Sequence, residues 1–207
     1  MEKIPDGNLF MYCETPDRSA FADLPEGFTY TSFTPERLED WILLQTDCHP
    51  AAQEREYLAG YYARVYASGA DLFAARWHLL YDGSTLAASC ILWEAYPGYE
   101  TIHWLKVHPL YEGRGIGRAV LTKTLENCRG EVFLHTQPES FRALKLYTDF
   151  GFALLTNPVI GRRENHLTDV LPVLSRVMTP SSYSSLRFAR CPEGFLNAAA
   201  SCPENRF

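Results

Sequence analysis

Apolar positions along this chain change period several times. Leu38, Trp41 and Ile42, and later Leu58, Tyr61, Tyr62 and Val65, recur three or four residues apart, which lays one apolar stripe along each of two helices. The first helix starts at Thr34-Pro35-Glu36, where an N-capping threonine precedes a proline at the first helical position. The second follows the break at His49-Pro50 and runs to about Ala67. Before them, Phe28 to Phe33 predicts a strand. After them, Leu72 to Tyr81 and Thr85 to Glu94 are apolar, aromatic-rich runs around Asp82-Gly83-Ser84, the turn chemistry of an antiparallel hairpin. Pro97-Gly98 turns the chain into a further strand, Thr101 to Val107, so a sheet is built by meander.

From Arg114 to Cys128 the period becomes helical again, with Ile116, Val120, Leu121 and Leu125 on one face, and Glu131 to His135 is a short strand. Ser140 to Phe150 predicts a helix closed by Gly151, and Phe152 to Leu155 begins another strand. Leu167, Val170, Leu171, Leu174 and Val177 fit a helical period, while Pro172 and the β-branched content suit a strand, so both readings stay open there. Turn formers break up the first 27 residues, an arm with one short strand at Leu9 to Tyr12, and the serine-rich tail from Pro180 reads as partly mobile. The expected division is an arm over 1–27, one domain over 28–178 and an extension over 179–207.

Composition then narrows the partners. With 46% hydrophobic and 21% charged residues the chain has the profile of a soluble globular protein. A net charge of −6 with no basic stripe argues against nucleic acid and suits a cationic amine. No apolar run is long enough to span a membrane. Six widely spaced cysteines, no C-x-x-C pair and no signal-peptide pattern predict a reduced, cytoplasmic protein. His49, His108, His135 and His166 lack metal-ligand spacing, so no metal is expected. Tyrosines 57, 61, 62 and 66, and Trp93, Tyr96, Tyr99 and Trp104, are either core or pocket walls.

The chemistry begins at Val107-His108-Pro109-Leu110-Tyr111-Glu112-Gly113-Arg114-Gly115-Ile116-Gly117-Arg118, three alternating glycines between a strand and a helix. Glycine admits φ > 0 and close approach to the backbone, so successive amides can converge on an anion at the helix N-terminus. A structural tight turn would show similar spacing. The rival nucleotide motifs fit worse, because no Gly-Lys-Ser/Thr ends a P-loop and an antiparallel meander, not a βαβ unit, leads into the loop.

Here the sequence resembles the GNAT superfamily of N-acyltransferases. Its signature, Arg or Gln followed by x-x-Gly-x-Gly/Ala, maps onto Glu112 to Gly117. A second signature, Asn-x-x-Ala-x-x-Leu-Tyr-x-x-x-Gly-Phe, maps onto Ser140 to Phe152. The resemblance covers about residues 28 to 155 and implies a mixed α/β fold: a mostly antiparallel central sheet flanked by helices, with fourth and fifth strands splayed to admit the pantetheine of acetyl-CoA. It implies cofactor binding by the backbone of Val107, Gly113, Gly115, Ile116, Gly117 and Arg118, with charge from Arg114 and Arg118 and with Ser140 opening the second signature. Glu112 and Ser140 depart from the usual Arg/Gln and Asn, which leaves the backbone donors in place and weakens cofactor binding.

Amide formation from a protonated amine needs a base, an oxyanion donor and an acid for the leaving thiolate. The resemblance assigns the acid to Tyr147 and the carbonyl donor to the Val107 N–H. For the base it offers His103, four residues before Val107 on the same strand face, whose ordinary pKa near 6.5 suits an ammonium proton; a strand histidine satisfied by a neighbour is the equal alternative. Glu100 is the competing base and Glu94 a more distant one. The resemblance also implies that acceptor recognition falls to the first two helices and their connection, Gln45 to Tyr66, and to the loop after the sixth strand. The implied activity is acetyl transfer from acetyl-CoA to a primary amine on a small molecule or peptide, by direct attack in a ternary complex. The alternative is a GNAT-like domain that binds CoA without transfer, as a sensor. Homodimers are common among the proteins resembled, and nothing in this sequence marks an interface. If the Glu112 carboxylate opposes the phosphates, Glu112→Arg is expected to tighten CoA binding in calorimetry; unchanged or weaker affinity would show that the side chain points away.

Overall fold

A computed structural model describes residues 4–69 and 74–202. The strands are β1 (Leu9–Cys13), β2 (Phe28–Ser32), β3 (Trp77–Asp82), β4 (Thr85–Tyr96), β5 (Tyr99–Val107), β6 (Val132–Thr136), β7 (Ala153–Leu155), β8 (Val159–Ile160), β9 (Arg163–Glu164) and β10 (Phe188–Ala189). The α-helices are α1 (Leu38–Gln45), α2 (Ala52–Val65), α3 (Ile116–Leu125), α4 (Phe141–Asp149), α5 (Leu167–Val177), α6 (Pro180–Ser184) and α7 (Glu193–Ser201). Together they form a mixed α/β fold with a mostly antiparallel central sheet and flanking helices. The chain packs as two compact units, one of Phe21–Trp93 with His103–Asn127, the other of the residues up to Ala20, Glu94–Ile102 and those from Cys128. No helix among the described residues is long and apolar enough to cross a membrane.

In the first unit β2 and β3 pair antiparallel, and β3 returns into β4 through Gly83-Ser84, with Asp82 opposite Thr85 and Gly83 at φ 56. The Leu72 start expected for this hairpin lies outside the described residues; the strand itself begins at Trp77, and Ala74 is helical. Aromatic packing supplies the core. Phe33 stacks on Trp77 at 3.7 Å, and Trp41 of α1 meets the edges of both Trp77 and Trp104 at 5.3 Å. Thr34 makes no side-chain cap; Pro35–Arg37 forms a 3-10 turn that leads into α1.

In the second unit β1 pairs antiparallel with β6 on one side and β7 on the other, and β10 joins β7 in parallel. The first half of β5 pairs in parallel with β6, Glu100 to Ile102 opposite Val132 to Leu134. The N-terminal segment thus supplies a strand with partners on both sides. The tail supplies α6, β10 and α7. Residues 167–177, open between helix and strand in sequence, form a helix that buries Leu167, Val170 and Leu174, and Pro172 is accommodated within it. Phe195 of α7 is fully buried, stacked on Phe133 at 3.7 Å and met by the edges of Tyr96 and Tyr99.

Truncating a buried aromatic removes its transfer free energy and leaves a cavity. Phe195→Ala is therefore expected to lower unfolding stability by about 3–5 kcal/mol, and Ser201→Ala, on the exposed end of the same helix, by no more than about 0.5 kcal/mol. Denaturant titration of both variants checks this; equal small losses would mean that α7 is not part of the core.

Candidate active site

The glycine segment forms an open turn at a helix N-terminus. His108 N–H donates to Ala87 O at 2.8 Å, fixing the chain just past Val107, and Pro109–Tyr111 makes a 3-10 turn. Gly113 and Gly115 then adopt φ 74 and 79, the left-handed region that disfavours any Cβ. Gly115 is the N-cap of α3, and the first intrahelical bond runs from Ala119 N–H to Gly115 O at 3.0 Å. The amides of Ile116 and Gly117 lie ahead of that bond, where the helix offers them no carbonyl. No atom lies within 4 Å of where a Cβ would stand on Gly113 or Gly115. An open backbone with amides at the positive end of the helix dipole fits a phosphate-bearing ligand such as CoA. Ile116 anchors the turn with its buried side chain, and Arg118 is half-buried in the first turn of α3. The Arg114 guanidinium lies over the rings of Phe28 and Tyr111, at 5.3 and 5.2 Å. Glu112 is exposed.

His103, in the second half of β5, is half-buried, its Nδ1 2.8 Å from Tyr66 Oη and its ring edge-on to Trp93 at 5.1 Å. Tyr66 is fully buried, and burial first, then the charge of Tyr61, pushes its pKa well up, so its phenol stays protonated. The other histidines have structural tasks. His108 Nδ1 accepts from Leu110 N–H, and His166 Nδ1 accepts from Asn8 N–H. Nδ1 of His49 lies 2.8 Å from Asp47 O. Burial, aided by Lys123, lowers His78 to about 4, and burial, aided by Arg163, lowers His135 to about 4, which leaves both weak bases. Among the described residues no group of three or more His, Cys, Asp or Glu side chains could hold a metal ion.

The second unit carries the remaining expected residues. Tyr147 lies on α4, is 6% exposed and packs against Phe152 at 5.9 Å. Gly151, at φ 96, closes that helix: its N–H donates to Thr148 O, and Phe152 N–H donates to Tyr147 O at 3.1 Å, the paired bonds of a Schellman cap. Ser140 occupies the N-cap position of α4 and makes no side-chain cap bond. Glu100 is buried, and its Oε2 accepts from Arg129 N–H at 2.7 Å. Glu94 Oε1 accepts from Gly98 N–H, which holds the β4–β5 turn.

A cleft of about 310 Å³ in the first unit is lined by Gln45, Thr46, Gln53, Glu54, Tyr57, Leu58 and Trp104. It falls on the segment expected to recognise the acceptor. Trp104 adopts φ 53 in mid-strand, and among the described residues Asp47 and Cys48 are the other non-glycine residues with positive φ, both in the connection beside Gln45 and Thr46. Lys106 pairs with Asp47 at 2.7 Å. Sequence reading missed Tyr66 and Trp104 as individuals, because tyrosine at helical spacing reads as core and strand alternation puts Trp104 on the face opposite His103.

A family model, that of the acetyltransferase (GNAT) family, matches residues 26–152. Over 52 residues the chain is 42% identical to the N-alpha-acetyltransferase RimI of Mycobacterium tuberculosis, which covers 25% of this chain and 33% of RimI. Among solved structures it is similar to a GCN5-related N-acetyltransferase from Sphaerobacter thermophilus, at 23% identity and TM-score 0.51 over 73% of this chain and 49% of that one. It is also similar to a tandem GNAT protein from the clavulanic acid biosynthesis pathway, at 14% identity and TM-score 0.55 over 73% of this chain and 50% of that one. The matches thus span half or less of these relatives, and the structural ones show the fold.

A Cβ at Gly115 meets open space, so only the left-handed backbone opposes it, at about 1–2 kcal/mol. Gly115→Ala is expected to lower the melting temperature slightly and weaken CoA binding several-fold by calorimetry; full affinity in the variant would mean that this turn does not hold the ligand.

Proposed function

This chain belongs to the acetyltransferase (GNAT) family, and from that membership we propose that it is an N-acetyltransferase that uses acetyl-CoA to acetylate a primary amine on a small molecule or peptide. The observation that carries the reading is the open glycine turn at the N-terminus of α3. The pyrophosphate is assigned to the amides of Gly113, Gly115, Ile116, Gly117 and Arg118; Arg114, held over Phe28 and Tyr111, and the Arg118 side chain add positive charge. Acetyl-CoA supplies a thioester whose carbonyl carbon an amine nitrogen attacks, forming the C–N bond as the C–S bond breaks.

The protein's residues manage the protons. His103 takes one from the incoming ammonium, freeing its lone pair, and later gives it to solvent. The Val107 N–H, at the end of β5, donates to the carbonyl oxygen. Tyr147 donates to the departing sulfur and regains a proton from the new amide nitrogen, so one proton is released in all. Glu100 is the weaker candidate for the base, since one of its carboxylate oxygens is engaged by the Arg129 amide. The cleft between Gln45 and Trp104 is assigned to the acceptor. None of the six cysteines is in a disulfide, in keeping with a reducing compartment such as the cytoplasm.

A CoA-binding sensor without transfer is the second reading, favoured by the exposed Glu112 and by the Ser140 side chain, which does not cap α4. Thiol release from acetyl-CoA separates the two readings, measured with arylalkylamines, polyamines, aminoglycosides, amino acids and peptides bearing a free N-terminus or lysine. Amine-dependent release, reduced on the order of 10²-fold or more in Tyr147→Phe and in His103→Gln, is the expected result. CoA binding without release for any amine would favour the sensor, and no CoA binding would overturn both readings.

A further inference from the structure

The cleft lined by the end of α1, the first half of α2 and Trp104 of β5 combines two kinds of wall. Tyr57, 59% exposed, and the half-buried Trp104 supply aromatic rings, and Leu58 adds an apolar side chain. The polar lining is Gln45, Thr46, Gln53 and Glu54. No lysine, arginine or histidine is among the lining residues, and Glu54 is the one carboxylate.

The charge of Glu54 is not cancelled by its surroundings. Its Oε2 accepts from Ala51 N–H at 2.9 Å, the cap that starts α2, and this bond engages one oxygen of the two. The flanking cations have other partners: Lys106 pairs with Asp47 at 2.7 Å, and Arg55 pairs with Glu39. Arg64 stands over the Tyr61 ring at 5.6 Å and does not line the cleft. The C-terminal end of α1 and the N-terminal end of α2 both reach the cleft, and helix ends of opposite sign offset each other. Thr46 donates its hydroxyl proton to Ile42 O at 2.8 Å, so toward a ligand its oxygen can only accept.

We propose that this cleft is a cation site that seats a second positive charge on the acceptor, so that the substrate is an amine bearing another ammonium group. A small diamine and a lysine-bearing peptide share that chemistry. The inference rests on the reading of the cleft as the acceptor site of a transferase. Charge complementarity selects the occupant. A carboxylate or phosphate on the acceptor would meet Glu54 with no lining cation to offset the repulsion, and a neutral aryl tail would use the rings and leave Glu54 without a role. An ammonium group uses both, drawn by the carboxylate and by the electron-rich ring faces of Tyr57 and Trp104. Because Glu54 and Tyr57 are exposed, the attraction is screened by salt.

Tetramethylammonium ion, which cannot be acetylated, probes the site without any transfer. It is titrated into the isotope-labelled full chain, and the Trp104 indole signal, assigned by its loss in Trp104→Phe, reports binding; uncharged tert-butanol of similar size is the control. A saturable shift that weakens as salt rises, and no shift with tert-butanol, is expected. Glu54→Gln keeps an oxygen for the Ala51 amide, since glutamine also serves in a capping box, and removes only the charge. Its melting temperature is expected to hold while tetramethylammonium affinity falls several-fold, as it does in Tyr57→Leu. No shift, an equal shift with tert-butanol, or full affinity in Glu54→Gln would overturn the inference. In thiol release, diaminobutane or an alanyl-lysine peptide is expected to exceed butylamine in kcat/KM by about fivefold or more, an advantage that Glu54→Gln removes, and the better of the two identifies the source of the second charge. Tetramethylammonium binding to a protein that acetylates no amine would sink the transferase reading and leave the cation site standing. An active enzyme that uses butylamine as well as both dications would overturn the inference and leave the transferase.

Discussion

The left-handed backbone at Trp104 is the constraint that stands between the candidate base, His103, next to it in the chain, and the cleft that Trp104 lines. A non-glycine residue held there costs about 1–3 kcal/mol, and it persists only if its surroundings over-determine it. They do so here. The indole meets Trp41 and Tyr61 edge-on, each at 5.3 Å, and each such pair contributes roughly 0.5–1.5 kcal/mol beyond area burial, so the two together offset the strain. The Lys106–Asp47 pair adds little, because its side chains are 32% and 55% exposed and solvent screens them. Beside it, His103 Nδ1 lies 2.8 Å from Tyr66 Oη.

The glycine turn uses the same currency of backbone geometry in the opposite way. There glycine makes the left-handed conformation cheap, and the absence of side-chain atoms over Gly113 and Gly115 keeps the amides at the start of α3 open. The cofactor end thus relies on backbone that any GNAT sequence with these glycines could form. The surroundings of His103 instead rely on aromatic side chains, Tyr66 and Trp93.

Local chemistry made much of the fold legible in sequence. Asp82-Gly83-Ser84 marked the hairpin, Gly151 the end of α4, and the alternating glycines the turn before α3, each because one residue type satisfies one backbone requirement. Long-range pairing was not legible. Leu9 to Tyr12 read as a short strand, yet nothing in it indicates that β1 would take both β6 and β7 as partners, and Phe195 gives no local sign that it will stack on Phe133. In the candidate site, His103 and Tyr147 stood out by their place in patterns. Tyr66 did not, since its contact with His103 joins residues 37 apart in the chain.

Buried cysteines bear on the route proposed for the acetyl group. The thiols of Cys13, Cys90 and Cys191 are each pushed up to about 12, chiefly by burial, so they stay protonated and are poor nucleophiles for a covalent relay. Direct attack by an amine, the route proposed with His103 as base, needs no such relay. Initial rates of thiol release, with acetyl-CoA and a responding amine varied against each other, test this most directly. Intersecting double-reciprocal lines, the mark of a ternary complex, are expected; parallel lines would signal an acetylated protein intermediate and contradict the account.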